Sequence, residues 1–445
     1  MIRFSKNLMF GLMVIAWSSA YGQNGAGRTL SLDEALALAE QNSYQVRIAQ
    51  SQLAAAEGQS LEGWSGFLPH VSAGASYVRS NDPVTVFSFK LKQGVFTQND
   101  LDLPSLNRPE PLHNFATRLE VQQPVLNLDA IYGKAAAGLA VKARSASLMR
   151  TQKGVALQVK KAYYGLVLAR EHLELLTLTV RSAERHRDDA RAALEQGLIN
   201  QADFLAAEVR LAELREQRIV AEHELANASD ALKFVLGLEE AGLVVPSDTI
   251  PAPVDLPAAP SEATGVGQRG DLQALLFQTQ AAQRNLWRER SAWMPRLNAF
   301  AALEWNDTRA FSTVNSNWTV GVQLQWRLFQ GLGNFGRSKQ ASAQAQERAV
   351  RLRQAEEQAR LEVRRAERAV QAAQQRLELT ESAVQQAEES LRIAEERFRQ
   401  GLEKTADLLS KEVARTRARL RALQARYDYA IAVSELAFAR GDGTN

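Results

Sequence analysis

Gln196-Gly197-Leu198-Ile199-Asn200-Gln201-Ala202-Asp203-Phe204-Leu205 returns as Gln400-Gly401-Leu402-Glu403-Lys404-Thr405-Ala406-Asp407-Leu408-Leu409. The same offset joins Glu208-Val209 to Glu412-Val413 and Gly237 to Gly441. Upstream, Phe67-Leu68-Pro69 is echoed by Trp293-Met294-Pro295. A period this long exceeds that of solenoid repeats and means two copies of one large unit. The copies run over about 23–237 and 266–441, with a linker at 238–265 and a tail at 442–445. The linker holds five of the twelve prolines.

The repeated stretch sits inside long segments without proline, from Pro124 to Pro246 and beyond Pro295. Both segments are rich in Ala, Leu, Gln, Glu and Arg, which favour helix. In the second, Val363, Val370, Leu377, Val384, Leu391 and Phe398 recur every seven residues, with Ala366, Ala373, Thr380, Ala387 and Ala394 at the same period. In the first, Val155, Val159, Ala162, Leu166, Ala169, Leu173, Leu176, Val180 and Ala183 step by four and three. Apolar residues spaced every 3.5 positions on average form a coiled-coil seam. The pattern predicts helices at about 129–195, 200–237, 336–399 and 405–440, folded into hairpins at Gly197 and Gly401. A helix of that length is roughly 100 Å long. Shorter helices at about 31–64 and 268–292 open the two units, the first with a capping box at Ser31-Leu32-Asp33-Glu34.

Between opening helix and long helix the period changes to two. Trp318, Val320, Val322 and Leu324 alternate with Thr319, Gly321, Gln323 and Gln325. Leu297, Ala299, Ala301, Leu303 and Trp305 alternate with Asn298, Phe300, Ala302, Glu304 and Asn306. Val71, Ala73, Ala75 and Tyr77, and then Phe115, Thr117, Leu119 and Val121, do the same in the first unit. Strands are expected at about 69–80, 114–126, 295–307 and 316–328. Alternation over about ten residues, with aromatics near the ends, is the pattern of a transmembrane barrel strand. Arg118, Glu120, Glu304, Gln323, Gln325 and Arg327 then point into a water-filled lumen, and Trp305, Trp318 and Trp326 mark the membrane interfaces. The connections at 81–113 and 307–316 are read as outward loops.

The first 22 residues read as a signal peptide: Arg3 and Lys6, an apolar core from Leu8 to Trp17, then Ser18, Ser19, Ala20 and Gly22. No later stretch is apolar for long enough to span a bilayer as a helix. The chain has no cysteine, so the reading is of an exported protein without disulfides and without a lipidated cysteine. A formal net charge of +3, with both signs mixed along the helices, gives no basic face for nucleic acid. His70, His113, His172, His186 and His223 share no metal-ligand spacing. No nucleophile–base set and no phosphate loop occurs, so no catalysis, cofactor or metal is expected.

Four strands cannot close a membrane barrel, and an open edge in lipid leaves backbone groups unpaired. Copies must therefore pool strands, eight in a dimer or twelve in a trimer.

With Gln122-Gln123-Pro124-Val125-Leu126 closing the second strand, and Arg397-Phe398-Arg399-Gln400-Gly401 followed by Ala406-Asp407-Leu408-Leu409, the mature chain resembles the outer-membrane efflux protein (TolC) family. The resemblance implies an internally duplicated α+β membrane protein: a trimeric twelve-stranded outer-membrane β-barrel, four strands per chain, continued by a long periplasmic α-helical coiled-coil barrel. It implies a homotrimer in outer-membrane lipid of a Gram-negative bacterium, a periplasmic adaptor and an inner-membrane transporter as partners, and the role of passive exit duct. By the same resemblance Gly197, Leu198, Gly401 and Leu402 meet the adaptor, and Asp407 lines the periplasmic entrance with Asp203 at the equivalent place. The family's second entrance acid is here Ser410, and Glu403 stands where its founding member has a basic residue. Asp203 and Asp407 also suit helix N-caps, the tip glycines ordinary turns, and Phe398 continued core packing. A type I protein secretion duct shares this fold. A periplasmic coiled-coil scaffold without a pore accounts for the heptads but not for the strands.

Overall fold

The computed structural model describes residues 28–239, 242–251, 269–400 and 402–442. The predicted signal peptide, much of the linker and Gly401 lie outside the described residues. In chain order the elements are β1 (Arg28–Leu30), α1 (Leu32–Asn42), α2 (Tyr44–Glu62), β2 (His70–Ser80), α3 (Pro83–Lys92), α4 (Leu103–Asn107), β3 (Leu112–Leu126), α5 (Leu128–Glu195) and α6 (Gln201–Leu236). They continue with β4 (Val244–Pro246), α7 (Gly270–Ser291), β5 (Arg296–Asp307), β6 (Ser316–Gln325), α8 (Gly333–Arg399) and α9 (Thr405–Arg440).

The repeat is visible in the helix lengths. α5 and α8 have 68 and 67 residues, and α6 and α9 have 36 each. Both short arms end on a left-handed glycine, Gly237 at φ 68° and Gly441 at φ 80°. At Gly237 a side chain is also excluded by space, since a Cβ there would lie 2.5 Å from the Asn42 carbonyl oxygen.

α1 opens with the capping box: the Glu34 amide donates to Ser31 Oγ, and the Ser31 amide donates to Glu34 Oε2. The single helix expected over 31–64 is interrupted at Ser43, whose ψ of 129° breaks the helical path between α1 and α2.

The main core gathers around the middle of α5. Tyr163, Val159, Leu166 and Val167 bury against Leu30, Val46, Leu232 and Leu236. The tyrosine hydroxyl is satisfied inside this core, its one hydrogen lying between two acceptors, the Leu30 carbonyl at 2.9 Å and Asp248 Oδ2 at 2.8 Å. The parallel pairing of β1 with β4 ties the start of the first unit to the chain that leaves it.

Along the second hairpin, the predicted seam residues Val370, Ala373 and Leu377 pack on Ala425, Tyr429, Ala432 and Leu436 of α9. Nearer the tip, Leu391, Ala394 and Phe398 meet Leu408. Phe398 is thus packed inside its own hairpin.

The four long strands form one antiparallel sheet in the order β2-β3-β5-β6. β6 ends three residues before the predicted boundary. Its last ladder partner is Arg296 opposite Gln325, and the residue preceding Arg296 is Pro295. Proline has no amide hydrogen to extend the ladder. Trp326 instead donates its indole N–H to the Trp293 carbonyl at 3.0 Å.

Candidate channel lining and periplasmic tip

The strand register sorts the side chains. Val71 lies opposite Val121, Ala73 opposite Leu119 and Tyr77 opposite Phe115. Leu119 lies opposite Leu303, which lies opposite Trp318, and Ala301 lies opposite Val320. Side chains alternate across a sheet, so these residues share one apolar face. The other face carries Arg118 opposite Glu304, Glu120 opposite Ala302, and Asn298 opposite Gln323. A one-residue slip anywhere would mix the two sets. The apolar face is uncovered within the protomer: Trp318 is 77% exposed and Val320 68%.

Five of the six residues expected in the lumen lie in strands and share the polar face. Arg118 pairs with Glu120 at 3.0 Å and with Glu304 at 3.5 Å. Gln323 and Gln325 stand exposed on β6. Arg327 lies beyond the end of β6, a correction to the strand assigned to it. It lines a polar cavity of about 160 Å³ where sheet meets helices, together with Asp129, Arg288, Arg296, Gln325 and Arg337.

The connection between β2 and β3 is not the plain loop expected from sequence. Asp82 caps α3 by accepting from the Thr85 amide at 2.8 Å, and Pro83 occupies the first turn. α3 is seated on the polar side of the sheet. Lys92 reaches Glu304 at 2.9 Å. Gln93, 3% exposed, donates to the His113 carbonyl and to Asn114 Oδ1, both at 2.9 Å. Asn114 passes the chain on to Asn306 at 2.8 Å, and Asn315 donates to the Gln93 carbonyl at 2.7 Å. Lys90 holds Asp100 at 2.6 Å, which with the Thr97 bonds brings that carboxyl down to about 2. Val84 and Leu91 remain 77% and 52% exposed. This buried polar anchor went unseen in the sequence, where only the Asp82-Pro83 cap signal was available.

At the other end lie the hairpin tips. The Leu198 amide donates to the Ala193 carbonyl and the Leu402 amide to the Arg397 carbonyl, both at 2.9 Å, so the two turns close alike. Gly197 takes φ 72°. The leucine side chains do not tuck under their turns: Leu198 is 72% exposed and Leu402 65%. Neither aspartate is an N-cap. That place belongs to Asn200, which accepts from the Asp203 amide at 2.9 Å, and to Lys404. Asp203 and Asp407 fall instead in the first turn, where a negative charge faces the positive end of the helix dipole. Asp407 is exposed, and the Ser410 hydroxyl donates to its carbonyl at 2.8 Å. Glu403 is turned to Arg397 at 3.1 Å.

Among the described residues, no helix is long and apolar enough to cross a membrane and no group of three or more histidine, cysteine, aspartate or glutamate side chains gathers around a common point.

An amphipathic four-stranded sheet borne on two long helical hairpins defines a membrane-inserting strand protein with a helical shaft. The chain belongs to the outer membrane efflux protein family, which matches residues 35–238 and 266–442. This is a family of non-enzymatic transporters of the Gram-negative outer membrane. Over 245 residues the chain is 23% identical to the alkaline protease secretion protein AprF of Pseudomonas aeruginosa, covering 53% of this chain and 50% of that one. Over 237 residues it is 24% identical to the outer membrane protein TolC of Vibrio cholerae, covering 51% and 52%. The chain thus spans about half the length of these two relatives. The crystal structure of CusC superposes with a TM-score of 0.80 over 95% of this chain and 96% of that one, at 18% identity.

Proposed function

We propose that three copies of this chain pool their sheets into one twelve-stranded barrel in the outer membrane, the passive exit duct of a tripartite efflux system. The observation that carries this reading is the register, which puts apolar side chains on one face and ions on the other while leaving the outer edges of β2 and β6 unpaired among the described residues. Unpaired backbone in lipid costs several kcal/mol per group, so the edges must meet other edges. Four strands alternate in direction, so β6 of one copy continues antiparallel beside β2 of the next.

The helices support the same closure. Val209 and Ile219 on α6 and Val350 and Leu379 on α8 are each more than half exposed in the protomer. Such residues suit neighbouring hairpins in a ring around a periplasmic tunnel. The exposed leucines at both tips suit docking of a periplasmic adaptor, and Asp407 the lining of the entrance. In this assembly an inner-membrane transporter supplies the energy. The 445 residues hold no cysteine to carry a lipid, so the strands provide the attachment to outer-membrane lipid.

The test is single-channel recording of detergent-extracted protein in planar bilayers. A steady ohmic pore supports the duct, and no conductance from correctly assembled protein overturns it. The similarity to AprF favours a second reading in which the cargo is a secreted protein. Loss of an exported protein in a deletion strain would select that reading, and sensitivity to small toxic compounds would select efflux.

A further inference from the structure

Near the periplasmic end, the two hairpins of the protomer meet at an unsatisfied acid. Glu412 on α9 is 2% exposed, and neither carboxylate oxygen has a hydrogen-bond donor. One turn on, Thr416 is 4% exposed and its hydroxyl is likewise without a partner. The spacing of four puts both oxygens on one side of α9. Across from them, His186 of α5 brings its Nε2 to 3.9 Å from Glu412 Oε1. Arg415, one turn on along α9, has an unpartnered Nε of its own.

The repeat shows what is missing. In the first hairpin the matching acid, Glu208, faces Arg191 at 3.8 Å. In the second, the position equivalent to Arg191 is Glu395. A cation has been replaced by a second acid, while the buried carboxylate has been kept. A buried carboxylate without a partner is costly, and a water molecule supplies donors but no charge.

We infer that His186, Glu412 and Thr416 form a site for a divalent first-row transition ion that ties α9 to α5. Imidazole nitrogen and carboxylate oxygen are donors that such an ion takes, and the unpartnered Thr416 hydroxyl supplies a further oxygen on the same side of α9. Zinc bonds of about 2.0–2.2 Å at a tetrahedral angle put a nitrogen and an oxygen ligand roughly 3.4 Å apart, so the pair, 3.9 Å apart, closes on one ion with a side-chain shift of about half an ångström. His186 is 26% exposed on its side chain, which gives the ion a route from the periplasm. Water completes the coordination. The site is distinct from the tip aspartates and joins the first hairpin to the second, α5 to α9.

The test is zinc binding to the tag-free, detergent-extracted full chain, measured by equilibrium dialysis with elemental analysis and by titration calorimetry. One zinc per protomer is expected. Binding should be lost in Glu412→Gln and in His186→Ala, survive in Glu412→His, which keeps a donor, and be unchanged in Asp407→Asn. Each variant is compared as assembled protein of native size. Absence of zinc from the wild type, or undiminished binding in Glu412→Gln, overturns the site. A second arm rests on the duct reading above: zinc added to the periplasmic side should lower conductance in the wild type and not in Glu412→Gln. Because binding is measured without a pore, failure of the duct reading leaves the first arm standing.

Discussion

Lys92 and Glu304 lie 2.9 Å apart, a helix residue bonded to a strand residue on the face of the sheet that carries its ions. The contact fixes which face of the sheet the β2–β3 connection occupies. In the three-chain barrel proposed above that face lines the bore, so three copies of α3 would stand at its outer mouth.

Replacing residues 83–107 with a short Gly-Ser linker should therefore raise single-channel conductance severalfold without disturbing assembly. Lys92→Ala should raise it less, since the buried Gln93–Asn114–Asn306 chain remains. The exposed pair itself is worth under about 1 kcal/mol, so thermal stability in detergent should hardly change. Equal conductance in the linker variant and the wild type would remove α3 from the bore.

Tyr163 and Asp248 give a pH signature well away from the membrane. The Leu32 amide donates to Asp248, as does the Tyr163 hydroxyl, and both hold its carboxyl below the ordinary 3.8. A depressed folded value means a stabilisation complete above 3.8 and lost as pH falls through the lowered value. Asp248→Asn should thus be less stable than the wild type at neutral pH, and the gap should close on acidification. Tyr163→Phe should cost about 1 kcal/mol through the lost core hydrogen bonds. Melting curves across pH check both, and a gap that widens in acid would contradict the assignment.

The tip leucines make a separate prediction. Leu198→Glu with Leu402→Glu should abolish adaptor capture in a pull-down and restore cargo sensitivity in cells, while conductance of the isolated pore stays normal. Retained capture would move the docking surface elsewhere.

For Asp407, three exposed carboxylates around an axis should favour cations. Asp407→Ala should lower the cation-to-anion permeability ratio and raise conductance. A ratio that does not change would argue that the entrance is lined by other groups.

Where backbone period alone decides structure, the sequence was enough. The heptads at Val370 and Leu377 and the alternation of Leu303 and Trp305 led directly to α8 and β5. Legibility failed where a distant contact decides. Pro83–Lys92 is rich in valine and phenylalanine, and although Asp82-Pro83 announces a helix start, its seat over the sheet depends on distant contacts, Lys92 to Glu304 and Gln93 to Asn114. Trp326 and Leu328 continue the strand alternation, but Pro295 gives them nothing to pair with. The repeat likewise matches Glu208 with Glu412, and the sequence shows the lost cation, Glu395 in place of Arg191, but not that Glu412 is buried.

The chain has no cysteine, so the pairing of β6 with β2 between copies is open to disulfide mapping without background. One cysteine is fixed at Val320 in β6 and a second is scanned along β2 from His70 to Ser80, in membranes, under oxidising conditions. A closed barrel of three chains predicts that cross-linking peaks at one register and that the covalent species stops at three chains. Cross-links absent at every register, ending at two, or continuing beyond three would contradict it.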